Sequence, residues 1–274
     1  MSNIPALEFG DDSVARAYDN GLVPVLFHPW AEQIVADHMP WSGKCVLDLA
    51  TGTGIVAHLV GKELGAAGKL VGADLNAEMM ALAEERCAEL EAETDFVVCS
   101  ADSLECPSAS MDRVICQQGF QFFPDKARAA REIYRVLNVG GTVFISTWRP
   151  VEECQFFGAM CESLEAIGQH EASTMMRIPF DHMPTSELEA YFKAAGFSNI
   201  QMTRPSKGFV LNGGDEHVIE IAYSTPIGPK LNEWPAELQA QFKAELLSRT
   251  RALSGSGSVV GQMVSDVLTA TKPS

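Results

Sequence analysis

The stretch Val46-Leu-Asp-Leu-Ala-Thr-Gly-Thr-Gly54 decides how this chain is read. An apolar run ends in an aspartate, and two glycines follow with one residue between them. This is the pattern of a buried strand that brings a carboxylate, and then a turn of bare backbone, to the rim of a sheet. Glycine tolerates positive φ and lets a ligand approach the main chain closely. The first amides of a helix that follows, with its positive end, face whatever sits there. Such a turn suits a small molecule carrying hydroxyl or ammonium groups together with an anionic group.

Outward from this turn, strand and helix patterns alternate. Residues 45–49 read as a strand, 55–64 as a short helix closed by Gly65, and 69–75 as a second strand ending at Asp74. Asn76 is a good N-cap for a helix to about Glu91, with Met79, Ala83, Cys87 and Leu90 on one face. Residues 96–100 and 113–116 read as two more strands. Pro124-Asp125 opens a helix whose Ala129, Ile133, Val136 and Leu137 share a face; Gly140-Gly141 ends that unit, and 142–147 is a β-branched strand. Repetition of this kind means a parallel sheet with helices on both faces. The second half is less regular. A helix is expected over 153–167, a capping box at Ser186–Glu189 opens another that ends near Gly196, and 199–203 reads as a strand. Helices around 216–224 and 236–250 precede a final strand at 262–271. The chain is expected to be a single domain over 1–274, with residues 1–40 as an N-terminal helical cap and 206–260 as a substrate-cap insertion.

Composition narrows the function. With 20 Lys+Arg against 36 Asp+Glu, the net charge is −16, which repels phosphate backbones and anionic lipid. Nucleic acid and membrane partners are therefore not expected, and a small-molecule substrate is. The seven cysteines include no C-x-x-C pair, and several sit in apolar runs as small hydrophobes, so no metal site and a reducing compartment are expected. The first residues carry no basic stretch followed by an apolar one, and no apolar run reaches membrane-spanning length. The expectation is a cytoplasmic protein.

The turn also satisfies G-x-G-x-x-A through Gly52, Gly54 and Ala57, with Asp74 lying 20 residues beyond Gly54. On that pattern alone the reading is a nicotinamide dinucleotide site and an NAD(P)-dependent oxidoreductase. Asp48 argues against it: a pyrophosphate over the turn would face this carboxylate, whereas an ammonium or sulfonium would be attracted by it. Ala101-Asp102 after the third strand adds another acceptor along the same edge.

At this point the sequence resembles the class I S-adenosylmethionine-dependent methyltransferases, in the small-molecule branch related to the ubiquinone/menaquinone C-methyltransferases. Besides the turn, the resemblance rests on Tyr-Asp-Asn-Gly-Leu-Val-Pro-Val-Leu-Phe-His-Pro-Trp (18–30), Cys-Gln-Gln-Gly-Phe-Gln-Phe-Phe-Pro-Asp (116–125), Arg-Val-Leu-Asn-Val-Gly-Gly (135–141) and Ser-Thr-Trp-Arg (146–149). These blocks cover roughly residues 15–150 in the family's order; beyond Leu188 the similarity is one of outline only. The resemblance implies a Rossmann-like α/β fold with a mostly parallel seven-stranded sheet and an antiparallel last strand. It implies S-adenosylmethionine as methyl donor, S-adenosylhomocysteine as product, and a small acceptor.

It also implies roles for particular residues. Asp48 sits near the methionine amino group, and the backbone of Ala50, Gly52 and Gly54 passes beneath the methionyl and ribose portions. Asp74 takes the ribose hydroxyls, Leu75 packs on the adenine face, and Ala101 and Asp102 address the adenine edge. Gln117 closes over the methionine portion, and Tyr18 and Trp30 cover the cofactor. Plainer roles stand beside these: Asp48 and Gly52 fit an N-cap and turn, Asp74 fits a helix cap beside Asn76, and Trp30, Phe120, Phe122 and Phe123 fit core packing. Methyl transfer proceeds by in-line displacement, and a base is needed only when the acceptor must lose a proton. His28, Asp181 and His182 are the base candidates, with His170 and Tyr223 behind them. The Asn/Asp-Pro-Pro-Tyr turn of amino-methyltransferases acting on adenine or glutamine is missing after the fourth strand, where Gln-Gln-Gly-Phe stands. Which atom accepts the methyl group, and whether the protein turns over or only binds S-adenosylmethionine, the sequence leaves open, as it does the oligomeric state.

Overall fold

Apolar runs bounded by glycine and aspartate become central strands here because helices shield both faces of the sheet they form. The computed structural model describes residues 12–254 and 257–274; the leaderless start read from the first residues lies outside that range. Helices α1 (Asp12–Leu22) and α2 (His28–Asp37) come first, joined by a π-helical turn at Val23–Phe27. Then β1 (Cys45–Leu49), α3 (Ile55–Leu64), β2 (Lys69–Asp74), α4 (Ala77–Cys87), β3 (Glu93–Val98), β4 (Met111–Gln117), α5 (Lys126–Val136) and β5 (Leu137–Trp148) alternate. The second half contains α6 (Gln155–Ala166), α7 (His170–Arg177), α8 (Thr185–Ala195), β6 (Ser198–Thr203), β7 (Ser206–Val210), α9 (Gly214–Tyr223), α10 (Gly228–Glu233), α11 (Ala236–Ser254) and β8 (Val259–Thr271).

The strands lie in the order β3-β2-β1-β4-β5-β8-β6, with β7 paired to β8 off this path. β1 pairs in parallel with β2 and with β4, and β2–β3 and β4–β5 are parallel too, whereas β8 runs antiparallel to β6 and β7. The order reverses between β1 and β4: the chain winds outward through β2 and β3, then returns to β4 on the other side of β1. A ligand crevice in such sheets opens at this switch point, beyond the carboxyl ends of the strands.

The chain divides into two compact units. The sheet unit comprises residues 27–147, 183–204 and 266–274. On one face of its sheet, Leu47, Val114 and Ile145 pack with Ile133 of α5 and Phe192 of α8; on the other, Val46, Leu70 and Ile115 pack with Ile34 of α2 and Val60 of α3. The other unit comprises 12–26, 148–182 and 205–265. Its interior is aromatic: Phe156 stands edge-on to Phe157 at 5.2 Å between ring centroids, and Phe157 lies 5.0 Å from Phe180.

Several expectations need correction. Among the described residues the sheet has eight strands, because β7 arises inside the stretch read as irregular, where Phe209 is buried and its apolar neighbour Val210 is exposed. Gly140-Gly141 does not end a unit: β5 already begins at Leu137, and the glycines sit where the register jumps from Met111↔Leu137 to Arg113↔Thr142. β3 begins at Glu93, three residues before its first aromatic, since its outer half is exposed and polar. No capping box opens α8; Pro184 is its N-cap and no side chain caps it. Helices α7 and α10, too short to show a period, were not anticipated. Asn76 does cap α4, accepting from the Met79 amide at 2.8 Å, and Asp125 caps α5 through the Arg128 amide.

Candidate active site

Two carboxylates, one beneath the glycine turn and one at its rim, hold it in place. Asp48, 1% exposed, lies at the buried end of β1. Its Oδ2 accepts from the Thr51 hydroxyl at 2.7 Å and from the Ala57 amide at 2.9 Å, so it pins both arms of the turn. Burial pushes the Asp48 carboxyl up to about 7 against the pull of those two bonds, and the charge of Asp74 adds to the rise. Asp74, at the end of β2, accepts from the Gly52 amide and from the Asn76 amide, each at 2.9 Å. Burial raises its carboxyl as well, opposed by backbone amides of Asn76, Gly52 and Leu75.

The two glycines do different jobs. Gly54 has φ +82°, and a Cβ there would fall 2.8 Å from the backbone of Ala83, so its bareness lets α3 and α4 approach. Gly52 has φ +55°, and a Cβ there would meet nothing within 4 Å. The open face of the turn is therefore at Gly52. Ala50 takes φ +58°, an uncommon conformation for a residue with a side chain, and Gly119 leaves room against it: a Cβ on Gly119 would fall 2.4 Å from that of Ala50.

The remaining expected residues of this edge are where strand order puts them. Leu75 stands 72% exposed just past β2, an apolar side chain offered to solvent. Buried Ala101 and half-buried Asp102 follow β3. Gln117 ends β4, 9% exposed; its Nε2 donates to the Phe27 carbonyl at 3.2 Å, and its Oε1 has no partner in the protein. Thr53, 2% exposed within the turn, has an Oγ1 that is likewise without a partner. A buried polar atom left without a partner carries a desolvation penalty unless a ligand or water supplies the bond. An S-adenosylmethionine molecule fits that need, since its methionyl end offers both N–H donors and carboxylate acceptors. Thr51 and Thr53 were missed from the sequence, although two hydroxyls inside a glycine turn were a visible signal.

Other expected residues fall elsewhere. Trp30 is buried in α2, and Phe120 and Phe123 pack edge-on in the core of the sheet unit at 5.4 Å. Tyr18, on α1, belongs to the other unit, as do Asp181 and His182. His182 Nε2 lies 2.7 Å from Arg149 Nη1. A guanidinium only donates, so that nitrogen is an acceptor and the ring proton is on Nδ1. Arg149 also grips Glu153, with Nη2 2.6 Å from Oε1. The Nε2 lone pair of His182 is thus already engaged by a cation. His28, at the start of α2, sits 3.3 Å from Glu32. His170 opens α7 in an exposed position, and the Tyr223 hydroxyl donates to Gln239.

A doubly wound sheet with a strand–Asp–Gly-x-Gly turn at its switch point and a second carboxylate at the end of the neighbouring strand defines a class I S-adenosylmethionine-dependent methyltransferase. A model of the ubiE/COQ5 methyltransferase family matches residues 10–164. The ubiquinone/menaquinone biosynthesis C-methyltransferase of Xylella fastidiosa is 32% identical over 213 residues, spanning 72% of this chain and 84% of that protein. That of Xanthomonas campestris is 41% identical over 217 residues at the same coverage. The chain belongs to the ubiE/COQ5 methyltransferase family. Its fold is also that of the Haemonchus contortus phosphoethanolamine N-methyltransferase 2 solved with S-adenosyl-L-methionine, at TM-score 0.64 and 19% identity over 100% of this chain and 60% of that one. The methyl donor is S-adenosylmethionine, and the dinucleotide reading of the glycines is not favoured. Among the described residues no helix is long and apolar enough to cross a membrane.

Proposed function

We propose that this protein transfers the methyl group of S-adenosylmethionine to a carbon of a small, electron-rich phenolic or quinol ring. The observation that carries the cofactor half is the pair of buried, unpartnered atoms, Thr53 Oγ1 and Gln117 Oε1, at the switch point of the sheet. The names of the similar curated enzymes support the acceptor half. In this reading Asp74 holds the ribose hydroxyls, Leu75 covers one adenine face, and Ala101 and Asp102 meet the adenine edge. Gln117 and the backbone at Ala50 and Gly52 take the methionyl portion, while Gly54 keeps its helix-packing role. Asp48 acts mainly through the turn it pins, and its negative charge favours the bound ammonium. Trp30, buried in α2, is assigned to packing rather than to covering the cofactor.

When bound, the cofactor supplies a methyl group on a cationic sulfur, a leaving group that needs no acid. The protein's work is then to align the acceptor and exclude water. A phenolic acceptor must also lose a proton. Of the three base candidates, we assign that role to His28: it shares the sheet unit with the turn and directly follows Phe27, whose carbonyl receives the Gln117 amide. Acceptor choice is assigned to the unit formed by 12–26, 148–182 and 205–265, most of which lies beyond the family match at residue 164. The cap expected from residues 1–40 and 206–260 is proposed in this altered form. The acidic surface supports a small-molecule acceptor rather than a nucleic acid, and burial of six of the seven cysteines as hydrophobes supports a cytoplasmic setting.

The test pairs calorimetry against S-adenosylhomocysteine and NAD with a labelled-methyl screen over quinol precursors, phenols, thiols and amines. Expected are S-adenosylhomocysteine binding and methylation of a ring carbon. NAD binding alone, or transfer confined to thiols or amines, overturns the proposal.

A further inference from the structure

Gln117 is the one side chain of the glycine-turn edge that faces two ways. Its amide nitrogen is spent on the carbonyl of Phe27 at 3.2 Å, while its amide oxygen is buried without a partner. Phe27 closes the π-helical turn Val23–Phe27 and leads directly into α2, its own backbone in the helical region. Single π turns inside helices are frequent at functional sites, since the change of register unsettles the regular backbone ladder there. Pro29, in the first turn of α2, lacks an N–H altogether. The Phe27 carbonyl, at the junction of the π turn and α2, thus takes a bond from outside the helix, from a residue of β4.

We propose that Gln117 is a positioning residue that couples cofactor binding to the first turn of α2. This rests on the cofactor reading above and adds to it a linkage. A bound ligand that donates to Gln117 Oε1 fixes the plane of the amide, because the two ends of a primary amide cannot rotate independently. Fixing that plane aims Nε2 at the Phe27 carbonyl. The bond strengthens, and with it the backbone that carries His28. Ligand binding then stabilises amides that the ligand does not touch. Hydrogen bonds in series polarise one another in the same direction, so the N–H of an amide whose oxygen is engaged is a better donor.

Two substitutions separate the halves of the device. Gln117→Glu keeps an acceptor oxygen for the cofactor but loses the donor to Phe27, and it sets an oxygen against that carbonyl. Gln117→Met has similar length and loses both. Hydrogen exchange is to be followed at the amides of 28–34, with and without S-adenosylhomocysteine, alongside its dissociation constant by calorimetry. In the parent chain, ligand at about 100 times its Kd should slow exchange at these amides roughly tenfold or more, up to the approximately 100-fold limit set by linkage. Gln117→Glu, studied at S-adenosylhomocysteine concentrations that saturate it, should show no ligand-dependent slowing at 28–34, while slowing at the 50–57 turn persists. At saturating S-adenosylmethionine the same variant should lose kcat, so that the loss is read apart from any change in the KM for the cofactor.

Ligand-dependent slowing at 28–34 that survives in Gln117→Glu overturns the coupling. So does a parent chain that binds S-adenosylhomocysteine without any slowing there, a result that needs no folded variant. A parent chain that fails to bind S-adenosylhomocysteine overturns the cofactor reading and the coupling together, and calorimetry alone distinguishes that outcome.

Discussion

Replacing Asp48 with asparagine should remove a pH dependence from the stability of the ligand-free protein. The Asp48 carboxyl is raised from its ordinary 3.8 to about 7, with burial as the first cause, countered by the Thr51 and Ala57 bonds and reinforced by Asp74. In the unfolded chain this group ionises near 3.8; in the folded protein it resists until about 7. The folded state therefore binds the extra proton, and stability present below the ordinary carboxylate range is lost as pH rises through about 7. The full difference corresponds to roughly 4 kcal/mol, more than half of which falls between pH 5 and pH 8. Asparagine carries no charge, and its Oδ1 can accept from the same hydroxyl and the same amide. Urea unfolding of both proteins at pH 5, 6, 7 and 8 measures the effect. Asp48→Asn should lie above the parent at pH 8 relative to pH 5, by more than half of the full difference. Parallel stability curves would refute the reasoning. A cation at the turn offsets the same penalty, so S-adenosylhomocysteine should bind the parent more tightly at pH 8 than at pH 6, and the variant with much less change.

The glycines separate packing from binding. Gly54→Ala places a Cβ against the Ala83 backbone at positive φ and should cost roughly 3 kcal/mol in urea unfolding, whereas Gly52→Ala meets open space, should cost about 1 kcal/mol, and should show its main effect as weaker S-adenosylhomocysteine binding. Asp74→Ala should weaken cofactor binding by about 1–3 kcal/mol in calorimetry; unchanged affinity in a folded variant sinks its assigned role. His182→Gln retains an acceptor for Arg149, so turnover should stay within about threefold with an unchanged pH profile. A loss of 10²–10⁴-fold or so, with one ionisation gone from the profile, would mark His182 as the base instead.

How much of this was legible depended on where each residue gets its partner. The sheet of the first half was plain because β1, β2 and β4 each carry a buried apolar run, Val46-Leu47, Leu70-Val71 and Val114-Ile115-Cys116. The Asn76 and Asp125 caps were readable because a cap is local chemistry between residues three apart. The turn was readable as bare backbone at the rim of the sheet, but the packing of Gly54 was not, since it depends on Ala83, which is distant in sequence. The same holds for Gln117: its bond to Phe27 spans 90 positions. The inference from Asp48 to a cationic ligand pointed to the right cofactor class, although Asp48 spends its Oδ2 on Thr51 and Ala57. In the second half, α7, α10 and β7 are too short for periodicity to register. Arg149 was quoted within a motif without a role, because its partner His182 comes from a segment 33 residues away.

β3 was blurred in the sequence for a reason that matters beyond prediction. Among the described residues it ends the strand order, so one side of its backbone has no neighbouring strand there. Its outer residues, Glu93, Thr94 and Asp95, are polar and exposed, and Glu93 is tied to Lys69 of the adjacent strand at 2.7 Å. An open row of amides and carbonyls is a template on which a second chain can extend the sheet, and apolar residues there would invite it. Two carboxylates on a chain of net charge −16 make a like copy an unwelcome neighbour. The polarity that hid the strand from a hydrophobicity count also disfavours growth of one sheet onto the next.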